Sequence, residues 1–429
     1  MVMFLLISVL LPLLLAPVAY NLSKKKGYNT ATWFTFAVLV FSTIMLVIPS
    51  LSVSSTGQIS YDESYLWSQF GNFGLRLDGL SIPFVIIIYI ICTSVVLFSK
   101  PYMIKRINDF FGNQEIQNSE KDNNTNNDNK VSDVPNHVND GKQVTNYQYA
   151  LTQHSTNQVI NHHMGIFLSL YLVFSMGMVG TILATNVIEF YVFFELTLIP
   201  AFFLVAFYGY SNRKRVSLMF FFWTHVGAVV LLLGLLAMGI FAGGFDFSTI
   251  KENVSKIPST WLPLIVFSIV VGLGVKLGVL FLHMWVPKTY FESPIPIAAL
   301  LAGAMSGIGI YGILRLWLDL LSVAYSEYSL CITIWGVATM IYGGAMALMQ
   351  NDLRKLLAYS SIWCYNDVCC TRSWKSHIVY DIWINLSADW NHKYGQTWWF
   401  GQQDAIHCHF IYDWCPYHGW NTSYRWFYG

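Results

Sequence analysis

The chain has 429 residues, of which 55% are hydrophobic and 11% charged, with a formal net charge of +1. That balance excludes a soluble enzyme of this size and offers no basic surface for nucleic acid, so the solvent for most of the chain is a lipid bilayer.

A hydrocarbon core ~30 Å thick takes about 20 apolar residues per helical crossing. About nine such stretches precede residue 360: 2–21, 30–49, 80–99, 164–184, 186–207, 217–241, 262–286, 296–317 and 328–349. They lack the alternation of barrel strands, and unpaired backbone is not tolerated against lipid, which predicts an all-α integral membrane protein with a polytopic helical bundle. The first stretch ends in Ala16-Pro17-Val18-Ala19. It has no basic segment before it and Lys24 to Lys26 after it, which favours a retained span over a cleaved signal peptide.

Basic residues in short loops mark the cytoplasmic side. Lys24 to Lys26, Lys100, Lys105, Arg106, Arg213 to Arg215, Lys288, Arg354 and Lys355 all follow odd-numbered spans. The N-terminus is therefore expected outside, together with the loop at 50–78, in the cell membrane or, for an organellar protein, the mitochondrial inner membrane. Lys251 and Lys256 on the outer side are the exception.

Four regions follow: spans one to three in 1–112, a polar insert at 113–162, spans four to nine in 163–362, and a tail at 363–429. The insert is rich in Asn, Asp, Gln, Ser and Lys and is expected to be a disordered cytoplasmic loop whose His154, His162 and His163 are solvated. The tail turns abruptly to Trp, Cys and His. Cys364, Cys369, Cys370, His407, Cys408, His409, Cys415 and His418 are ligand types for zinc, but their spacing fits no common zinc pattern. A shifted reading frame explains the composition better. Trp has the codon TGG, so moving one base at Trp398-Trp399 yields Gly-Gly, and the residues around it open into apolar sequence. The tail is therefore read as out of frame from about Ser361 to Trp363 onward.

Charges inside the spans are few. Each costs on the order of 2.5–3.5 kcal/mol at mid-bilayer unless it has a partner or a wet cavity. Glu195 lies near the middle of the fifth span and Glu189 nearer its outer end. Lys276 lies in the seventh, with His283 seven residues on, a spacing that puts both on one face of a continuous helix. Burial brings a Glu and a Lys each toward neutrality, where they can exchange protons. Gly272, Gly274, Gly278 and Pro287 weaken the seventh span and Pro200 the fifth, as in transporters whose broken helices line ion sites. The structural alternatives are an interhelical ion pair for Glu195, a snorkelling ammonium for Lys276 and a hydrogen-bonded packing role for His225. Glu292, Arg315 and Asp319 lie near span ends, where interfacial solvation is expected.

These residues resemble the antiporter-like subunits of respiratory complex I, subunit M of the bacterial NADH:quinone oxidoreductase or subunit 4 of the mitochondrial one. The resemblance covers about 78–362 apart from the insert. It rests on Asp78-Gly79-Leu80-Ser81, on Phe194-Glu195-Leu196-Thr197-Leu198-Ile199-Pro200, on Leu282-His283-Met284-Trp285-Val286-Pro287 with Glu292-Ser293-Pro294, and most strongly on Asn351 to Ile362. It implies a bundle of about nine helices cut from a longer family bundle, with a discontinuous seventh helix. It also implies a proton-translocating membrane subunit driven by quinone reduction elsewhere in an NADH dehydrogenase complex. Glu195 and Lys276 inherit the proton-transfer roles, with His283, His225 and Glu292 as further candidates. No redox site, cofactor or metal is expected in this chain; the quinone, FMN and iron-sulfur clusters belong to partner subunits. Where the family has Lys in the sixth and eighth spans, this chain has Met219 and Gly307, and Tyr290 replaces a second His. A subunit of an Mrp-type sodium/proton antiporter or of a membrane-bound hydrogenase, and a nonfunctional truncated product, are the alternatives. Resequencing the gene around codons 361 to 363 should reveal a missing or extra base; an error-free in-frame read, with tail peptides detected by mass spectrometry, would overturn the frame reading.

Overall fold

The computed structural model describes residues 3–56, 60–67, 71–112 and 141–352, with 355, 356, 358–360 and 362. The reading of 363–429 as out of frame, the zinc-type residues within it and the insert at 113–140 lie outside the described residues.

The protein is an all-α polytopic membrane bundle with one small hairpin. Helices α1 (Phe4–Lys26) and α2 (Tyr28–Thr56) form the first two spans. Strands β1 (Ser60–Trp67) and β2 (Gly71–Asp78) pair antiparallel, Ser60 opposite Asp78 and Trp67 opposite Gly71. Then come α3 (Ser81–Ile107), α4 (Gly141–Leu183), α5 (Val187–Leu196), α6 (Leu198–Tyr208), α7 (Arg213–Ala242), the short α8 (Phe247–Asn253) and α9 (Leu262–Leu277). The last group is α10 (Trp285–Glu292), α11 (Ile295–Leu300), α12 (Ser306–Gly312) and α13 (Ser322–Leu348). Wide turns at Leu301–Met305 and Ile313–Leu320 continue α11 and α12 into one eighth span, and α13 is the ninth.

Eight helical segments of the described residues are long and apolar enough to cross a membrane; the seventh predicted span is the shorter helix Leu262–Leu277. It ends where Gly278 takes φ +73°, a left-handed cap that a residue with a Cβ adopts poorly. The carbonyls this leaves at membrane depth need donors. Gly278 N and Val279 N close onto Val275 O and Gly274 O (3.3 and 3.0 Å), and Trp285 Nε1 donates to Val275 O (2.8 Å). Beyond the cap, α13 serves the loose backbone: Leu280 N donates to Thr339 Oγ1 (3.1 Å) and Trp335 Nε1 to Leu280 O (3.2 Å). The fifth span breaks more gently, at Thr197, next to the turn where Pro200 has no N–H to give.

Chain ends and loops gather at two polar faces. On one, Glu63 of β1 accepts from Leu5 N and Leu6 N (3.0 Å each), Leu75 of β2 bridges Ala184, and Asn186 bridges Asp246. On the other, Tyr28 N donates to Asn161 Oδ1 (2.8 Å) and Arg106 Nη2 to Gly209 O (2.6 Å). Arg106, Arg213, Lys214 and Arg215 line one cavity on this second face. Lys251 belongs to the first, where Asp319 takes its charge (2.5 Å).

Three expectations change. The loop at 50–78 contains the hairpin. The insert does not reach 162, because α4 starts at Gly141; extending a helix already formed by an apolar span is easier than nucleating one. In that extension Asn161 O accepts from Ser23 Oγ (2.6 Å), and Tyr20 Oη and His162 Nδ1 lie 3.2 Å apart with His162 still exposed, as expected. Arg315 is no interfacial side chain: 7% exposed, it reaches Asp78 (2.6 Å), Asp319 (3.3 Å) and Tyr311 Oη (2.9 Å), clasping β2 to the eighth span.

Helices α7 and α9 cross at glycines. A Cβ on Gly272 would stand 2.6 Å from Leu231 Cβ and 2.8 Å from Gly227 O. Because part of that obstacle is backbone, Gly272→Ala should destabilise the bundle by about 1–3 kcal/mol, read as a lower unfolding temperature in detergent; an unchanged transition would contradict this packing. Burial works to push the Asp78 carboxyl up, but the Arg315 guanidinium and the Ser81 N–H and hydroxyl outweigh it and hold it below its ordinary range. A depressed carboxylate contributes stability that is full above its unfolded value and lost as pH falls through the folded one. The Asp78 clasp should thus hold from about pH 7 to about pH 5 and fail only in stronger acid; hydrogen exchange of the hairpin amides followed against pH checks this.

Candidate functional site

The two helix breaks meet in the middle of the bundle. Lys276 occupies the last turn of α9, where the negative end of the helix dipole favours a cation, and it is 3% exposed. Its Nζ donates to Thr197 Oγ1, the hydroxyl at the break of the fifth span, at 3.0 Å. The same ammonium stands 4.5 Å from the Phe194 ring centroid, a cation–π contact in a site emptied of water by its neighbours. Thr197 Oγ1 donates in turn to Phe194 O (2.7 Å). One hydroxyl therefore accepts from the amine while its own proton is held by a backbone carbonyl.

Glu195, two residues before Thr197, takes the other branch. Its Oε2 lies 2.9 Å from His225 Nδ1 on α7, and the imidazole stacks on Phe221 with centroids 5.6 Å apart and planes at 11°. When Nδ1 carries the proton it donates to the carboxylate. Among the described residues Glu195 and Lys276 form no ion pair with each other. The acid and the amine each hold a separate polar partner, with the Glu195–Leu196–Thr197 segment linking the two branches.

His283 does not continue the face of Lys276, because the helix ends at Leu277 and His283 sits in the turn after the break. The cause is the left-handed pair Gly278 and Phe281 (φ +73° and +74°), which redirects the chain. There His283 Nε2 lies 3.1 Å from Tyr342 Oη on α13, and its Nδ1 is buried without a hydrogen-bond partner. Glu292, 3% exposed, is not interfacial either. Its Oε1 accepts a close hydrogen bond from Asn212 N and its carbonyl accepts from Tyr210 N (2.9 Å), so it fastens the loop between α6 and α7. Tyr290 Oη lies 3.3 Å from Ser306 Oγ, and a Cβ on Gly307 would meet nothing within 4 Å. Thr197 and Tyr342 are the site residues that sequence reasoning missed. Thr197 carried a signal, standing beside Glu195 and next to the Pro200 break; Tyr342 carried none. Among the described residues no group of three or more His, Cys, Asp or Glu side chains is placed to hold a metal ion.

Two family models match. Residues 184–363 match one described as NADH:quinone oxidoreductase/Mrp antiporter, TM, and residues 67–111 match one described as NADH-Ubiquinone oxidoreductase (complex I), chain 5 N-terminus. Among curated relatives, NAD(P)H-quinone oxidoreductase chain 4 1 of a Synechococcus strain is 30% identical over 203 residues, 47% of this chain and 38% of that protein. NADH-quinone oxidoreductase subunit M of Rickettsia felis is 31% identical over 196 residues, 46% of this chain and 40% of its own. The matched segment thus spans about two fifths of these relatives. Among solved structures, respiratory complex I from Thermus thermophilus superposes with a TM-score of 0.62 at 18% identity, over 85% of this chain and 63% of that one. The Mrp complex from Dietzia sp. gives 0.63 at 20% identity over 86% and 34%. These likenesses show a shared fold, and the model matching 184–363 falls on the segment that carries the breaks in the fifth and seventh spans. Over residues 67–111 and 184–363 the chain is thus similar to antiporter-like membrane subunits of NADH:quinone oxidoreductases and Mrp antiporters.

Proposed function

We propose that this chain translocates protons as a membrane subunit of an NADH:quinone oxidoreductase-type complex. Glu195 and Lys276 carry the protons, and quinone reduction in partner subunits drives them. The observation that carries the reading is the placement of Lys276 Nζ and Thr197 Oγ1 (3.0 Å) at the junction of two interrupted helices, with Glu195 two residues away. An amine buried at 3% exposure with a hydroxyl partner can gain and lose a proton without unpairing a salt bridge.

In this reading His225 shares a proton with Glu195. His283 and Tyr342 lie on the α13 side of the break, where they extend the path away from Lys276. Glu292 positions the α6–α7 loop. The chain carries no cofactor of its own; FMN, iron-sulfur clusters and the quinone site belong to its partners. Its place is the cell membrane, or the inner mitochondrial membrane in an organelle, with the N-terminus and the hairpin on the outer side and the basic face inside. The likeness to the Dietzia Mrp complex supports a second reading, a sodium/proton antiporter subunit.

In a complex built with the frame-corrected gene, Glu195→Gln and Lys276→Met should each cut proton pumping by more than about tenfold while the complex still assembles. Vesicle acidification with NADH as donor measures the first, and native gel electrophoresis the second. Normal pumping in either variant would overturn the assigned roles, and transport that needs sodium gradients but not NADH would favour the antiporter.

A further inference from the structure

The fifth span carries a second carboxyl that this mechanism leaves idle. Glu189 stands in the first turn of α5 and is 1% exposed. Its Oε2 accepts from Gly74 N of β2 (3.3 Å) and from Thr185 N (3.5 Å). Its Oε1 is buried and has no hydrogen-bond partner. Among the described residues no Lys, Arg or His lies within ion-pairing distance of it. The charged group that acts on it is a like one: Asp246, in the loop after α7, held beside the start of α5 by Asn186 Nδ2 (3.0 Å). Arg76, two residues along β2 from Gly74, is occupied by Asp62 of β1 (2.7 Å).

An ionised carboxylate here would be buried without a cation, near a second carboxylate and with one oxygen unserved. The amides of Gly74 and Thr185 favour the anion but reach only Oε2. A neutral acid fits better: Oε2 remains the acceptor for both amides and the proton sits on Oε1. Strand β2 is the cover. A Cβ on Gly74 would collide with the Thr185 hydroxyl, so glycine lets the strand lie directly over the carboxyl. Phe73 packs on Phe193, one helical turn beyond Glu189, at 6.4 Å between centroids. The hairpin is tied down by Glu63 of β1 on the α1 amides and by Asp78 of β2 on Arg315.

We propose that Glu189 is a proton-binding site on the hairpin side of the bundle, a carboxylic acid kept neutral under β2 that exchanges its proton with the adjacent solution when the strand lifts. In the step itself the Oε1–H bond breaks, the proton passes to a water molecule entering under the strand, and the carboxylate is left on the two amides. Its place as an outer station of the path rests on the transport reading. Its protonation state does not.

Infrared difference spectroscopy on the full chain in liposomes tests it. At neutral pH the unsubstituted chain should show the carbonyl stretch of a protonated carboxylic acid, lost in Glu189→Gln and kept in Glu195→Gln. If only carboxylate bands differ between the unsubstituted chain and Glu189→Gln, the proposal is wrong. Should Glu189→Gln fail to fold, labelling the unsubstituted chain with 13C-glutamate reads the same band, and no glutamate absorbing as an acid at neutral pH overturns it. Gly74→Ala, which forces β2 off Thr185, should weaken the acid band severalfold at neutral pH; a full band in that variant removes the strand as the cover. An acid band present while Glu195→Gln pumps normally would sink the transport reading and leave this one standing.

Discussion

Lipid offers no hydrogen bonds, and the structure is organised around that lack. A helix can stop at membrane depth only if something inside the protein answers its loose carbonyls and amides. At the end of α9 the answer comes from three directions. The left-handed turn at Gly278 folds its own amides back, Trp285 donates to Val275 O, and α13 supplies Thr339 and Trp335 to the backbone of Leu280. Without those donors the span would run on as an ordinary helix and Lys276 would be one more side chain along its flank.

Stopping the helix does two things at once. It presents the negative end of α9 to the Lys276 ammonium, which lowers the cost of burying a cation. It also opens a gap in the regular backbone opposite the second, milder break at Thr197. The polar groups of the site occupy that gap in two branches, Lys276 with Thr197 and Glu195 with His225, rather than in one locked ion pair. A locked pair would hold its protons and cost several kcal/mol to open.

Away from the site the bundle is held by close helix contact and by charge pairs at its rim. Glycines at the α7–α9 crossing let backbones approach, as expected where lipid gives helices no hydrophobic reason to associate. At the hairpin end, Asp78, Arg315, Asp319 and Lys251 form one chain of alternating charge joining β2, the eighth span and α8. Arg315 serves this clasp and not the Lys276 site, although by sequence it too is a charge within an apolar span.

The sequence by itself determined the class and the spans, because twenty apolar residues have no other use than to cross a bilayer. It also determined the candidate acid and amine, because a charge in such a stretch needs a reason. The interruption of the seventh span was legible from its glycines and proline, and the Thr197 break from Pro200. Only the tertiary structure decided who answers whom. That Lys276 meets Thr197 rather than Glu195, that His283 turns away toward Tyr342, that Glu292 fastens a loop, and that a hairpin lies over Glu189 all depend on helices far apart in the chain coming side by side. Periodicity reports which residues share one helix face, but it carries no information about which other helix that face will meet.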